Sequence, residues 1–323
     1  MKKIAIFSGK GDLHAHVVNN RLNQLTGYQC QIFETDSVTG NSNITWSSGG
    51  VCSLLDYQGE LIDLPDIDLI WWRRSGKSQK LPVEEMDESS VDLIHKDCAA
   101  SILGSVLTQF SGQWVSEPFA TTRAENKLYQ LAVAQRVGFK VPKTIVSQNP
   151  DAIRTFCHEL NNEVIVKPVR GSGKKPLFTR KIQTEHLENE YGMQATPATY
   201  QEAIDGFKHL RINCFGSTIK SVLIEADRLD WRENLDVPIY EYQLSQENQN
   251  KVYDLLKALD LRMGIMDCKI NTKGEMVWLE INPQGQFLFL EGITDIPMTD
   301  CFVNFIKQEL DKPTFGLAFQ ESA

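Results

Sequence analysis

The chain predicts a mixed α/β fold that opens on an open α/β unit. Three observations carry this. A strand–helix–strand pattern begins the sequence, a β-hairpin signal lies near its end, and 323 residues suffice for two or three small domains or lobes. A composition of 41% hydrophobic and 23% charged residues is that of an ordinary soluble globular protein. The net charge of −9 argues against a general nucleic-acid binder, because phosphate backbones demand a basic surface, although a local basic cluster can still hold a nucleotide. The cysteines (Cys30, Cys52, Cys98, Cys157, Cys214, Cys268 and Cys301) are scattered without a C-x-x-C pair. That spacing suits neither a zinc site nor a disulfide framework and points to a reducing compartment. The start lacks a signal-peptide core, and no run of eighteen apolar residues occurs, so a cytoplasmic protein with no membrane partner is expected.

Residues 2–7 read as a buried strand, 13–26 as a helix and 29–34 as a second strand. The turn Ser8-Gly9-Lys10-Gly11-Asp12 lacks the G-x-x-x-x-G-K-[ST] spacing of a phosphate loop. His14 and His16 fall on different helix faces and read as a solvated pair. Short strands around turns occupy 37–64. Residues 68–74 form a strand emerging into a polar loop, where Arg73 and Arg74 suit either a carboxylate ligand or the domain's own acids; the structural role is favoured. A helix is expected over 91–110, and 111–118 reads as a crossing into a new unit. Thr122-Arg123-Ala124-Glu125 reads as a capping box. It opens a helix with Leu128, Leu131, Ala132 and Val137 at helical spacing, closing at Gly138. No internal repeats or low-complexity tracts are visible.

The most informative stretch runs from Gly264 to Gln286. Two strand-like runs flank the turn cluster Asn271-Thr272-Lys273-Gly274, a hairpin signature. Alternation puts Glu280 and Asn282 on one face. A loop of two or four residues puts Asp267 on that face too, whereas a three-residue loop turns it away. Two carboxylates and an amide oxygen, with no His or Cys, suit Mg²⁺, which favours a few carboxylates plus water and phosphates. A surface hairpin with solvated acids is the alternative. Trp278, Leu279 and Ile281 argue for a buried sheet instead, where unpaired carboxylates are costly.

Upstream, Lys127 alone reads as a solvated lysine. Val164-Ile165-Val166-Lys167-Pro168 is a strand ending in a cation, followed by Val169-Arg170-Gly171-Ser172-Gly173-Lys174-Lys175. Such a loop can clamp phosphates by charge and by backbone N–H groups. Residues 199–205 (with Gln201, Glu202, Ala203, Ile204 and Asp205) could offer N–H and C=O groups to an adenine edge, with Asp205 on the ribose, or could be a plain linker. Two strands joined by Gly216-Ser217-Thr218 follow, then Asp230-Trp231-Arg232. Arg211 and Arg232 are placed in the site because a guanidinium grips carboxylate or phosphate with two parallel bonds.

In this order, lysine, strand lysine with glycine loop, Gln-Glu segment, arginine and Asp…Glu-x-Asn, the segments resemble the ATP-grasp superfamily over roughly residues 115–310. Trp71-Trp72-Arg73-Arg74 is similar to a Trp-Tyr-Arg-Arg signature. With Asp230-Trp231-Arg232 and Leu279-Glu280-Ile281-Asn282-Pro283-Gln284-Gly285-Gln286, followed by Phe287-Leu288-Phe289-Leu290-Glu291, it resembles the microviridin-type (graspetide) synthetases. The loop after Lys167 departs from that pattern by being unusually basic. The resemblance implies a pre-ATP-grasp α/β domain (1–115) followed by a two-lobed α+β ATP-grasp fold, its central lobe at 116–200 and its C-terminal lobe at 201–323. It implies that Lys127 and Lys167 hold the α- and β-phosphates of ATP, with Gly171, Ser172 and Gly173 in the phosphate loop. It places Gln201 to Ile204 at the adenine, Asp205 at the ribose, and Asp267, Glu280 and Asn282 on Mg²⁺. Arg211 and Arg232 would steady the transferred phosphoryl group or the acceptor carboxylate. The partner implied is a ribosomal precursor peptide, leader plus core, whose Asp or Glu side chains are activated and crosslinked as esters or amides. Dimers are common among such enzymes, so a homodimer is open. No enzymic nucleophile is expected. Two rivals stand: a ligase of the same superfamily adding a free amino acid to a small acid or protein terminus, and a non-catalytic nucleotide- or peptide-binding module.

Overall fold

Ile4 to Phe7 are buried without interruption, and a strand apolar on both faces needs neighbours on both edges and cover on both sides. The computed structural model supplies them. It describes residues 1–41, 43–50, 52–75, 79–81, 86–171, 179–229, 231–234 and 236–312. In chain order the first part contains β1 (Lys2–Ser8), α1 (Leu13–Asn23), β2 (Tyr28–Glu34), β3 (Ile44–Trp46), β4 (Cys52–Leu55), β5 (Leu61–Ile62), β6 (Leu69–Trp72), α2 (Glu88–Gln109) and β7 (Gln113–Val115). The sheet β2-β1-β6-β7 is parallel throughout, and β3-β4-β5 is a small antiparallel sheet.

The next part contains α3 (Pro118–Ala124), α4 (Lys127–Arg136), β8 (Thr144–Ser147), α5 (Pro150–Glu159), β9 (Val164–Pro168), β10 (Arg180–Lys181), α6 (Thr184–Glu188), α7 (Glu190–Gln194) and β11 (Ala198–Glu202). After these come β12 (Lys208–Phe215), β13 (Thr218–Glu225), β14 (Ile239–Glu241), α8 (Gln246–Ala258), β15 (Met263–Ile270) and β16 (Met276–Asn282). Here the sheets are β10-β9-β11-β8 and β14-β13-β12-β15-β16. Helices α9 (Leu288–Ile293) and α10 (Met298–Leu310) follow. Two compact units result: Met1–Pro118 with Phe215–Thr218 and Gln286–Ala323, and Phe119–Cys214 with Ile219–Gly285. The unit change at Pro118/Phe119 adjoins the crossing read at 111–118.

Two local expectations are corrected. The helix bearing Lys127 is capped by Asn126, whose Oδ1 accepts from the Leu128 and Tyr129 amides, while Thr122 lies inside α3. An Asn oxygen satisfies the orphan N–H groups as well as a Thr would. With the helix phased from Asn126, its buried side chains are Gln130, Val133 and Ala134, and Leu128 is exposed.

His14 is not solvated. Its imidazole is buried against Phe287, ring centroids 4.8 Å apart, and Nε2 accepts from the Phe287 and Leu288 amides at 2.9 and 3.2 Å. A helical spacing tells which face a residue takes, not what later segment covers that face. Beside it the buried Arg73 donates from Nε to Asp12 at 2.9 Å, so the domain's own acid partners this arginine. Among the described residues no helix is long and apolar enough to cross a membrane.

Burial, then the positive charge of Arg73, outweighs Asp12 and pushes His14 down to about 3. The unfolded chain therefore takes up a proton near pH 6.5 that the folded one refuses. Stability from a neutral His14 is fully present above that pH and declines as pH falls, by about 1.4 kcal/mol per unit. Thermal melting should show native protein losing about 1 kcal/mol more than a His14→Gln variant between pH 7.5 and 5.5. Parallel losses would mean that His14 does not carry this dependence.

Candidate active site

The β15–β16 turn spans residues 271–275, five residues, an odd number like the three that would turn Asp267 away. A β-bulge reverses that parity. Near the turn Ile270 pairs with Met276 and Cys268 with Trp278; beyond the irregularity Asp267 pairs with Glu280 and Ile265 with Asn282. Leu279 is the extra residue. The bulge lets Trp278 and Ile281, three apart, both enter the core while Leu279 and Glu280 both line the cleft. Gly285 then packs against the hairpin so closely that a Cβ would lie 2.5 Å from Ile265 Cγ1. Asn282 is thereby followed by a turn that only glycine fits.

Facing strands supply the cations. On β9 and β11, Lys167 pairs with Thr199 and Ile165 with Gln201, so these four share one face while Val164 and Tyr200 point into a separate core. Lys167 Nζ donates to Gln201 Oε1 at 3.1 Å, and Gln201 Nε2 donates to Thr144 Oγ1 at 2.9 Å, so the buried Gln201 amide aims the lysine. From the start of α4, Lys127 Nζ reaches Glu280 Oε2 at 2.9 Å. On β12, Arg211 donates to both oxygens of Asp267, at 2.8 and 3.1 Å, with its guanidinium 5.9 Å from the Trp231 ring centroid.

A solvent-open cleft lies between these surfaces. Lys167, Arg232, Asp267 and Glu280 line it, as do the apolar Ile165, Ile204 and Leu279. That combination of a charged part and an apolar part suits a nucleotide, whose phosphates and base make opposite demands.

The electrostatics divide the two acids. Burial would push Glu280 up, but Lys127 and then Lys167 outweigh it and hold the carboxyl at about 2. Burial raises Asp267; Arg211 opposes the rise, and the nearby Glu280 charge adds to it. Burial also lowers the Lys167 amine, against the pull of Glu280.

The donor set fits a magnesium ion. Asn282 Nδ2 stands 3.5 Å from Asp267 Oδ2 and 3.3 Å from Glu280 Oε1. A half-turn of that amide exchanges its NH₂ for an oxygen facing the same space, giving two carboxylates and one amide. Among the described residues no group of three His, Cys, Asp or Glu could hold a metal, so the third ligand at this site would be the Asn282 amide oxygen.

Other expected residues fall as follows. Glu202, Ala203 and Ile204 line the cleft, and Arg232 does too. Asp205 is exposed and off that lining; its carboxylate accepts from the Thr272 hydroxyl and amide in the hairpin turn. Gly171 holds φ +87°, a conformation open to glycine. Ser172 and Gly173 lie outside the described residues, with the basic stretch after them. The sequence reading missed Lys269, whose Nζ donates to the Ile204 carbonyl at 2.7 Å, and His209, which also lines the cleft. Each lies two residues from a recognised site residue, and strand alternation would have found both.

No family model matches this chain. The alpha-aminoadipate–LysW ligase LysX of Sulfurisphaera tokodaii is 25% identical over 181 residues, which is 52% of this chain and 63% of that protein. The chain thus spans less than two thirds of that curated relative. The macrocyclase MdnC of Microcystis aeruginosa MRC, bound with precursor peptide MdnA, superposes with a TM-score of 0.86 at 25% identity, covering 95% of this chain and 99% of that one. A RiPP-associated ATP-grasp ligase of Chryseobacterium gregarium, in complex with ADP and a leader and core peptide, gives 0.84 at 22% identity, covering 97% and 98%. The chain thus shares, over nearly its whole length, the fold of these two ligases.

Proposed function

We propose that the protein activates Asp or Glu side chains of a ribosomal precursor peptide with ATP and closes them into ester or amide crosslinks. The observation that carries the reading is the opposition of Asp267 and Glu280 across β15–β16, with Lys127, Lys167 and Arg211 on the surrounding elements. The superposition on a macrocyclase over nearly the whole chain supports the peptide as substrate. Seven free cysteines accord with the cytoplasmic location expected from the sequence.

Asp267, Glu280 and Asn282 would hold Mg²⁺, which when bound neutralises charge on the triphosphate oxygens. The remaining work belongs to the chain's own side chains. Lys127 and Lys167 hold phosphates, and Ile165, Ile204 and Leu279 offer apolar surface to the base. Arg211 and Arg232 steady the phosphoryl group in transit. An oxygen of the peptide carboxylate attacks the γ-phosphorus and ADP leaves, giving an acyl phosphate. A Ser or Thr hydroxyl, or a Lys amine, then attacks the acyl carbon; it gives up its proton and inorganic phosphate departs. Positioning and charge do the catalysis, without an enzymic nucleophile.

Incubation with ATP, Mg²⁺ and a precursor peptide encoded beside the gene should give, by mass spectrometry, loss of one water per crosslink and one ADP per water lost. A gain of one amino-acid residue from a free amino acid would establish the rival ligase reading instead. Absence of ADP release with either acceptor would leave a binding module. Glu280→Gln should lower turnover by about 100-fold or more, on the scale of losing one preorganised electrostatic group. Circular dichroism should show that variant folded, and normal turnover in it would mean that the metal ligands are wrongly assigned.

A further inference from the structure

β16 is the last strand of its sheet; on its open side the Lys140 carbonyl accepts from the Trp278 amide at 2.8 Å, but among the described residues no strand pairs with Ile281 there. Its open side faces the interior. Ile281 is fully buried there, and an unpaired peptide in that setting is costly. The missing partner is a side chain. Gln130, 1% exposed, donates from Nε2 to the Ile281 carbonyl at 2.7 Å and accepts at Oε1 from the Ile281 amide at 3.2 Å. The same Nε2 donates to the Ala124 carbonyl at the end of α3. One amide thus takes the place of a neighbouring strand at a single residue, the one between Glu280 and Asn282.

Gln130 lies three residues after Lys127 in α4, on the same helix face. The helix therefore delivers an amine to Glu280 and an amide to the peptide that carries Glu280's neighbour. Paired bonds to the N–H and C=O of Ile281 resist rotation of the strand about its axis, and that rotation would swing Glu280 and Asn282 away from Asp267. We infer that Gln130 is a positioning residue for the magnesium and phosphate groups, fixing the Glu280–Ile281–Asn282 segment against the helix that bears Lys127. The inference rests on the function proposed above. It also accounts for the residue type: the position needs donor and acceptor on one planar group, which an ionised Glu, a Met or a Leu lacks.

The test uses the full chain, with Gln130→Met (similar in shape, neither donor nor acceptor) and Gln130→Glu. ADP binding is measured by calorimetry in EDTA and in Mg²⁺, with melting recorded alongside. Folded variants should keep the native magnesium-free ADP affinity within about two-fold and lose about ten-fold or more of the affinity in Mg²⁺, the scale of an outer-shell partner of a metal ligand. A variant that melts earlier but keeps the native ratio of the two affinities overturns the inference, because support of the fold alone would not change that ratio. Native protein that shows no magnesium-dependent ADP binding removes the parent reading instead. Hydrogen exchange on the native protein gives an answer even if neither variant folds. The Ile281 amide should exchange as slowly as amides of the central strand β12, and exchange at the rate of an open edge overturns the inference.

Discussion

Two carboxylates face one another across a bulged strand pair, and the second unit is arranged around that opposition. Placed side by side in partly buried surroundings, Asp267 and Glu280 would repel and lose hydration. Three cations from three separate elements compensate. Lys127 comes from a helix, Lys167 from the facing sheet and Arg211 from the next strand. Compensation is uneven: the cations hold the Glu280 carboxyl at about 2, whereas burial keeps that of Asp267 raised despite Arg211. A divalent cation bound there would offset the repulsion that remains, and a triphosphate would offset the positive charge facing it, so that each would improve the site for the other.

That opposition depends in turn on backbone detail. A five-residue turn gives the wrong parity, and the extra residue Leu279 restores it. The same bulge turns Leu279 into the cleft, where it adds apolar wall beside Ile165 and Ile204. Gly285 admits the close return of the chain after Asn282. Gln201 steers Lys167, and Lys269 ties down the Ile204 carbonyl.

Alternation and residue type carried much of this in the sequence. Glu280 and Asn282 share a face because they are two apart, and the β-branched run ending at Lys167 reads as a strand directly. What escaped has physical causes. The bulge has no marker, since Leu279 is as ordinary in a regular strand as in a distorted one. Gln130 has no local sign of burial, because its partner lies 151 positions away. His14 is covered by a segment 273 positions on. Asn126 and Thr122 both suit a helix start, and only the break between α3 and α4 decides for Asn126. Asp205 is near the expected adenine segment in sequence, yet the hairpin turn claims its carboxylate. Local pattern reports face and type; distant contacts decide burial and partner.

The most direct measurement is a crystal structure of the protein with Mg²⁺ and a non-hydrolysable ATP analogue. Oxygens of Asp267, Glu280 and Asn282 should surround the metal, with the Lys127 and Lys167 amines on phosphate oxygens and the base against Ile165 and Leu279. A nucleotide bound elsewhere, or one bound in this cleft with those three side chains still turned to Lys127, Arg211 and one another, would contradict it.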